Sequence, residues 1–178
     1  MGSNIDVEAP IDCTGCARAG ERAPARWHLA MAACAVAAML LAGCASAPKP
    51  TLVSATLQAS ITVNPDARKR ASPLVVRVYE LKSAAAFEAA DFVSLFERDQ
   101  LTLAAEMAAR EEFVLRPGET KPWEKSVAPD VKFIGVMAAF RDIERARWKT
   151  IVPIKPTVKN VITIQANEIS VTAKAVPQ

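Results

Sequence analysis

The sequence predicts a mostly β fold, a sandwich or barrel of about eight short strands with a short helical insert. Residues 53–63 alternate strictly between apolar and polar side chains, which is typical of a half-buried strand. Seven further short segments of β character follow, separated by polar or proline-containing connections. No internal repeat interrupts this series.

The seven further strands share apolar or β-branched side chains and turn residues at their borders, and they are predicted at residues 74–81, 112–115, 121–127, 131–140, 147–154, 160–166 and 169–175. Residues 116–119 form a turn because Pro117 and Gly118 are adjacent there. Residues 167 and 168 are predicted to form a tight hairpin.

The helical insert is predicted from possible caps. Ser83 and Asp91 carry side-chain oxygens that can accept hydrogen bonds from the free amide groups at a helix start. Helices are expected at 84–90 and 92–98, and a third at 101–110. Four apolar side chains are expected to pack this insert onto the sheet: Phe87, Phe92, Leu95 and Phe96.

The first 43 residues differ from the rest and predict an export signal. Three arginines precede an uncharged, apolar run from 29 to 41, which ends in Leu41-Ala42-Gly43-Cys44. A run of thirteen residues is too short to span a membrane, which takes about 20. The residues before Cys44 resemble a lipobox, so we expect cleavage before Cys44 and a lipid on its thiol. The alternative is an ordinary signal cleavage with Cys44 incidental.

The chain then divides into a signal (1–43), a lipidated tether (44–50) and a β-sandwich domain (51–178). Pro48 and Pro50 favour an extended tether. The signal is longer than usual and its start carries acidic residues, so one hypothesis places the true translation start downstream of Met1.

Removal of the signal limits the chemistry of the mature chain. It takes away His28 and every cysteine except Cys44, which excludes the common nucleophile–histidine mechanisms and His/Cys zinc sites. The remaining 19 basic and 15 acidic side chains are too evenly balanced to indicate nucleic-acid binding. The acidic pairs Glu111/Glu112 and Asp142/Glu144 are read as solvated charge. We expect no enzymatic activity and no cofactor beyond the lipid.

Residues 64–72 form a long, basic connection between two strands, where a hairpin needs only two to five residues. Rigid sandwiches often bind partners through such loops. The sequence leaves open whether this one is a solvated loop or a partner-binding loop; its residues are Asn64, Pro65, Asp66, Ala67, Arg68, Lys69, Arg70, Ala71 and Ser72.

Two tryptophans and a second basic segment are weaker candidates. Trp123 and Trp148 are expected to pack against the sheet, and the alternative is a platform for stacking a sugar or another small ligand. Residues 141–149 carry four basic side chains, which indicate either a solvated strand end or a contact with a partner or membrane surface.

Together, these segments resemble the TssJ outer-membrane lipoproteins of the type VI secretion system. The lipobox, the alternating strand and the polar loop are followed by residues 72–82 (SPLVVRVYELK), 87–92 (FEAADF), 115–119 (LRPGE) and 134–142 (IGVMAAFRD), with Trp148 after them. The resemblance runs from about residue 57 to the C-terminus.

The resemblance implies a two-sheet, transthyretin-like β-sandwich with added helices and a role that is not enzymatic. It implies that the chain binds the periplasmic C-terminal region of TssM, and through TssM is linked to TssL. It also implies that residues 64–72 are a main contact with TssM. Because Ala45 rather than aspartate follows the cysteine, sorting to the periplasmic face of the outer membrane is expected.

Two other functions are compatible with the fold class. A hydrolase on the same fold relies on histidines, which the mature chain lacks. A lipoprotein that binds a small ligand or a glycan through Trp123 or Trp148 remains the alternative.

We predict that Cys44→Ser leaves a folded domain that no longer fractionates with the outer membrane, because the variant has no thiol to which the lipid can be attached. Membrane flotation checks this. The anchor assignment is wrong if the variant still partitions into the lipid phase.

Overall fold

The computed structural model describes residues 50–176. The predicted signal, Cys44 and all of the tether except Pro50 lie outside the described residues. The helices and strands follow one another in the order β1 (Thr51–Ala59), β2 (Leu74–Leu81), α1 (Ala85–Ala89), α2 (Phe92–Leu103), β3 (Met107–Leu115), β4 (Thr120–Val127), β5 (Phe133–Ala139), β6 (Lys149–Pro153), β7 (Lys159–Ala166) and β8 (Val171–Val176). Among residues 50–176, none of the helices has the length and apolar character of a membrane span.

The eight strands form two four-stranded sheets, in the orders β4-β1-β7-β8 and β3-β2-β5-β6. Every neighbouring pair is antiparallel except β1 and β7, which are parallel. The prediction of a mostly β, two-sheet sandwich with about eight strands and a helical insert is therefore confirmed.

The main core lies between the two sheets. In β1 the inward positions are Val53, Ala55, Leu57 and Ala59, all buried, while the residues between them are more exposed. This is the alternation that the sequence shows, and it results from the two-residue period of a strand. The burial of these side chains against the facing sheet is the main source of the sandwich's stability.

A second core lies on the outer face of the β3-β2-β5-β6 sheet, beneath the helical insert. It contains Tyr79, Leu81, Phe87, Leu95, Leu103 and Met137. Strand β2 is thus covered on both faces, which explains why its sequence is an almost continuous apolar run rather than an alternating one.

Two predicted boundaries need correction. The predicted strand at 53–63 is too long, because the chain turns after Ala59: the Ser60 carbonyl accepts hydrogen bonds from the amides of Val63 and Gly118 at 3.2 and 3.1 Å. Ile61 is 79% exposed, although it continues the alternation. The predicted two-residue hairpin at 167–168 is a four-residue turn, closed by a 2.8 Å hydrogen bond from the Asn167 amide to the Ser170 carbonyl.

The helical insert matches the prediction in part. Asp91 caps α2, since its carboxylate accepts a hydrogen bond from the Ser94 amide at 2.9 Å. Ser83 is not the N-cap of α1, which is Ala84. The predicted third helix at 101–110 is wrong beyond residue 106, because Met107–Leu115 pairs with β2 as strand β3. Pairing within the sheet overrides the weak helix propensity of this alanine-rich segment.

Aromatic contacts hold the insert on the sheet. Phe87 and Leu95 are fully buried, as predicted. Phe92 lies edge-on to Trp148 with ring centroids 5.4 Å apart. Phe96 is more exposed than predicted, because it stacks on Phe92 and lies 4.8 Å from the Arg77 guanidinium instead of entering the core.

Charged groups fix both ends of the insert. The Lys149 ammonium donates hydrogen bonds to the carbonyls of Phe87, Glu88 and Ala90, and its burial lowers the pKa of the Lys149 amine. At the other end, the buried carboxylate of Asp99 pairs with Arg110. Helices this short are marginal alone, so these contacts are needed to keep them in place.

Gly135 lies within β5 without interrupting it. A Cβ at this position would meet a Leu81 methyl group at 2.9 Å and the Phe87 ring at 3.1 Å. The missing side chain is therefore what allows the insert to pack closely against the sheet.

We predict that Gly135→Ala lowers the free energy of unfolding by about 1–3 kcal/mol, the usual cost of overpacking a core. Chemical denaturation checks this. Leu81→Ala in the same chain should remove part of the clash, so the double variant should lose less stability than the two single variants added together. Simple additivity would show that Gly135 has no such packing role.

Candidate partner-binding end of the sandwich

Four connections lie at one end of the sandwich: the β1–β2 loop (60–73), the β3–β4 turn (116–119), the β5–β6 connection (140–148) and the β7–β8 turn (167–170). They lie together because β1, β3, β5 and β7 all end there, while β2, β4, β6 and β8 begin there. We call this the loop end. Thr51, the first residue of β1, lies at the opposite end, about 30 Å away at the usual rise per strand residue.

Asn64 joins three of the four connections of the loop end. Its side-chain amide donates to the Pro73 carbonyl and accepts from the Arg141 amide, both at 2.8 Å. Its backbone amide donates to the Glu168 carbonyl at 2.9 Å. Its φ of 50° is one that asparagine adopts more readily than most residues. A single buried residue, through its side chain and its backbone amide, thereby fixes the relative positions of three loops.

Backbone hydrogen bonds also join the two sheets at this end. The Arg147 amide donates to the Ile169 carbonyl, and the Val171 amide donates to the Arg147 carbonyl, both at 2.9 Å. The β5–β6 connection of one sheet is therefore paired with the edge of the other. This closes one corner of the sandwich and adds rigidity to the loop end.

The tip of the β1–β2 loop is built around Asp66. One carboxylate oxygen accepts from the amides of Arg68 and Arg70 at 2.8 and 2.9 Å, and the other accepts from the Arg70 guanidinium at 2.8 Å. The hydrogen bond from the Arg70 amide is the main reason that the pKa of Asp66 is lowered. The loop tip is thus ordered by its own hydrogen bonds before any partner is present.

The predicted binding residues differ in how much they present to solvent. Asn64 is only 4% exposed and faces inward, while Pro65, Asp66, Ala71 and Ser72 are half-buried. The exposed tip consists of Ala67, Arg68, Lys69 and Arg70. Arg70 is paired with Asp66, and no carboxylate of residues 50–176 lies within salt-bridge distance of Arg68 or Lys69.

A cleft of about 800 Å³ lies beside this tip. The β1–β2 loop forms one wall and the β5–β6 connection the other, with Ile169 of the β7–β8 turn at the margin. Its lining has mixed charge, since Lys69 and Arg145 lie near Asp66, Asp142 and Glu144. The sequence indicated each wall as a candidate through its basic residues. It did not indicate that the two walls face each other, because only the fold brings residues 64–69 and 141–145 together.

The weaker candidates of the sequence have structural roles. Trp123 is buried and donates from its indole nitrogen to Glu111 at 2.8 Å, and Trp148 packs against both cores. The prediction that both tryptophans pack is confirmed. Three of the four members of the acidic pairs are ion-paired, since Glu111 binds Lys125, Glu112 binds Arg77, and Asp142 binds Arg145, while Glu144 is exposed. Residues 50–176 contain no group of three or more side chains suited to hold a metal.

A family model described as "Type VI secretion lipoprotein, VasD, EvfM, TssJ" matches residues 51–169, which include every strand except β8. The chain belongs to the TssJ family. The family resemblance predicted from the sequence is thus confirmed. The matched range contains the whole loop end apart from Ser170.

Solved structures agree with this family. The structure described as the T6SS lipoprotein TssJ1 from Pseudomonas aeruginosa is 33% identical, with a TM-score of 0.70 over 72% of this chain and 98% of that chain. The Serratia marcescens protein Lip, described as a membrane-bound component of the type VI secretion system, is 26% identical, with a TM-score of 0.65 over 72% and 98%. No curated protein sequence matches the chain.

A third similarity is to a chain in a structure described as "T6SS protein TssM C-terminal domain (869-1107) from EAEC". It is 26% identical, with a TM-score of 0.57 over 68% of this TssJ-family chain and 99% of that chain.

We predict that Asn64→Ala lowers the free energy of unfolding by about 1–3 kcal/mol, because it removes the hydrogen bonds to the Pro73 carbonyl and the Arg141 amide at a part-buried site. Chemical denaturation checks this. Asn167→Ala is the matched control, since Asn167 is an exposed asparagine in a neighbouring turn. Equal stability of the two variants would contradict the role assigned to Asn64.

Proposed function

We propose that this protein is an outer-membrane lipoprotein that anchors the type VI secretion membrane complex by binding the periplasmic C-terminal region of TssM. The observation that carries the proposal is the ordered, exposed, basic tip of the β1–β2 loop, at the end of the sandwich farthest from Thr51. A loop that is already ordered loses little conformational entropy on binding, which favours a partner-binding role.

The proposal includes the organisation of the precursor. Residues 1–43 act as the signal, Cys44 carries the lipid, and residues 44–50 form the tether to the sandwich. Ala45 directs the protein to the periplasmic face of the outer membrane. Several acyl chains give a durable anchor, whereas a single chain gives only marginal binding. TssL is linked to this protein only indirectly, through TssM.

The third structural similarity supports TssM as the partner. The match spans 68% of the 178 residues, about 121, and these cover 99% of the matched chain. The matched chain is therefore shorter than the segment 869–1107 that the description names. We infer that the structure holds a TssJ-like sandwich together with that TssM segment.

The arrangement of side chains favours binding over catalysis. Three of the four candidate acidic groups are held by Lys125, Arg77 and Arg145, and the fourth, Glu144, is exposed to solvent. The alternative of a glycan platform requires an exposed indole face, but Trp123 is buried and Trp148 is enclosed by Phe92 and Lys149. These observations leave the loop end as the candidate surface for TssM.

We predict that the double variant Arg68→Glu/Lys69→Glu weakens binding to the TssM periplasmic region by up to about thirtyfold, since each reversed surface charge costs up to about 1 kcal/mol. Calorimetry with the detergent-solubilised lipoprotein checks this. Arg70 is left unchanged because its loss would also disturb the Asp66 turn.

The matched control is Lys132→Glu/Lys174→Glu, which makes the same change in net charge at two exposed lysines outside the loop end. Its affinity for TssM should stay close to that of the unchanged protein. Equal weakening by both double variants would mean that general charge, rather than the β1–β2 loop, governs binding.

A further inference from the structure

The end of the sandwich opposite the loop end carries an exposed turn between β6 and β7, residues 154–158. Val158 projects there and is 48% exposed, and Leu52 and Val176 are exposed to about the same extent. Val158 and Val176 line one groove of about 480 Å³, and Leu52 is the register partner of Lys159. The three apolar side chains therefore lie on one end of the domain.

Lysines flank these apolar side chains. Lys155 and Lys159 stand on either side of Val158, both are exposed, and no acidic residue occurs between them. Lys132 belongs to the same end, because its carbonyl accepts a hydrogen bond from the amide of Ile154 at 2.9 Å. Of these lysines, Lys159 has a carboxylate nearby, that of Glu124 at 3.6 Å. An apolar tip between basic groups is the pattern of a protein surface that contacts anionic lipid.

This turn is fixed to the first residue of the sandwich. The Thr157 amide donates to the Thr51 hydroxyl at 2.9 Å, and Thr51 is fully buried. The Asn160 side chain closes the turn with hydrogen bonds to the amide and the carbonyl of Lys155, both 2.8 Å. The position of Val158 relative to Thr51 is therefore set by direct hydrogen bonds rather than by a flexible connection.

Thr51 is also the residue at which the tether enters the domain. The seven residues 44–50 can reach at most about 25 Å when fully extended. A lipid on Cys44 would keep the β6–β7 turn within about that distance of the membrane at all times. Even a weak attraction between the turn and the lipid surface is then effective, because the contact is intramolecular.

We propose that the β6–β7 turn is a membrane-docking element that seats this end of the sandwich on an anionic lipid surface. Val158 and its apolar neighbours enter the headgroup region, while Lys155 and Lys159 contact lipid phosphates. The proposal rests on the lipidation of Cys44 in the proposed function. Its consequence is orientation: the long axis of β1 stands away from the membrane, and the loop end is held about 30 Å from the lipid, facing its partner.

The test uses the mature lipidated protein in vesicles that contain phosphatidylethanolamine and phosphatidylglycerol. A fluorophore on Val158→Cys reports contact through quenching by nitroxide-labelled lipid. The labelling is specific because the mature chain has no other free thiol when Cys44 is lipidated. The matched control is Ile61→Cys, an exposed apolar position at the loop end. Quenching should be severalfold stronger at position 158 than at position 61.

Charge variants separate docking from simple proximity. Lys155→Gln/Lys159→Gln should reduce the ratio of docked to undocked protein at least about fivefold, the effect of losing one lysine contact with an anionic surface. Replacing the anionic lipid with phosphatidylcholine should have a similar effect. Circular dichroism and thermal unfolding verify that each variant keeps its fold.

Three results would overturn the proposal. Equal quenching at positions 158 and 61 would mean that the domain has no preferred orientation. Quenching that is unchanged by both the lysine substitutions and the lipid charge would show that the turn does not dock on anionic lipid. Quenching that depends on protein density would assign the turn to contacts between copies. Failure of the protein to float with the vesicles is a separate readout, and it would instead overturn the lipidation of Cys44.

Discussion

The hydrogen bonds of Asn64 are the constraint on which the loop end depends. The two sheets bury their apolar faces against each other without fixing where their connecting loops lie, because the hydrophobic effect is not directional. Asn64 supplies the direction, with one bond to each of three connections. The loop tip around Asp66 and the cleft beside it are both defined relative to this residue, so an asparagine buried at the loop end determines the shape of the exposed surface.

The covering of β2 on both faces explains most of the remaining architecture. A strand buried on two sides needs a second layer, and the insert α1–α2 supplies it through Phe87 and Leu95. Close packing of that layer requires Gly135, while Lys149 and Asp99 hold its ends with charged hydrogen bonds. The insert thus leaves both the loop end and the opposite end of the sandwich free for other contacts.

Local patterns in the sequence predicted the fold class, most strands, the Asp91 cap and the family. They failed where distant residues decide the outcome. Met107–Arg110 reads as helix but pairs with β2, and Ile61 continues an alternation although the chain has already turned. For the candidate site, the basic loop was visible as residues 64–72, but the inward role of Asn64 was not. Its partners Arg141 and Glu168 lie far away in sequence, and no local pattern reveals such contacts.

The position of β1 suits a protein that connects a lipid anchor to a partner. Under the proposed function, tension enters at Thr51 from the tether and leaves through the loop that follows Ala59. These two points are the ends of one strand, and β1 is paired along its length with β4 on one side and β7 on the other. Force along the strand axis then loads these backbone hydrogen bonds together rather than one after another. A central strand between anchor and binding loop is therefore held along its length by hydrogen bonds on both sides.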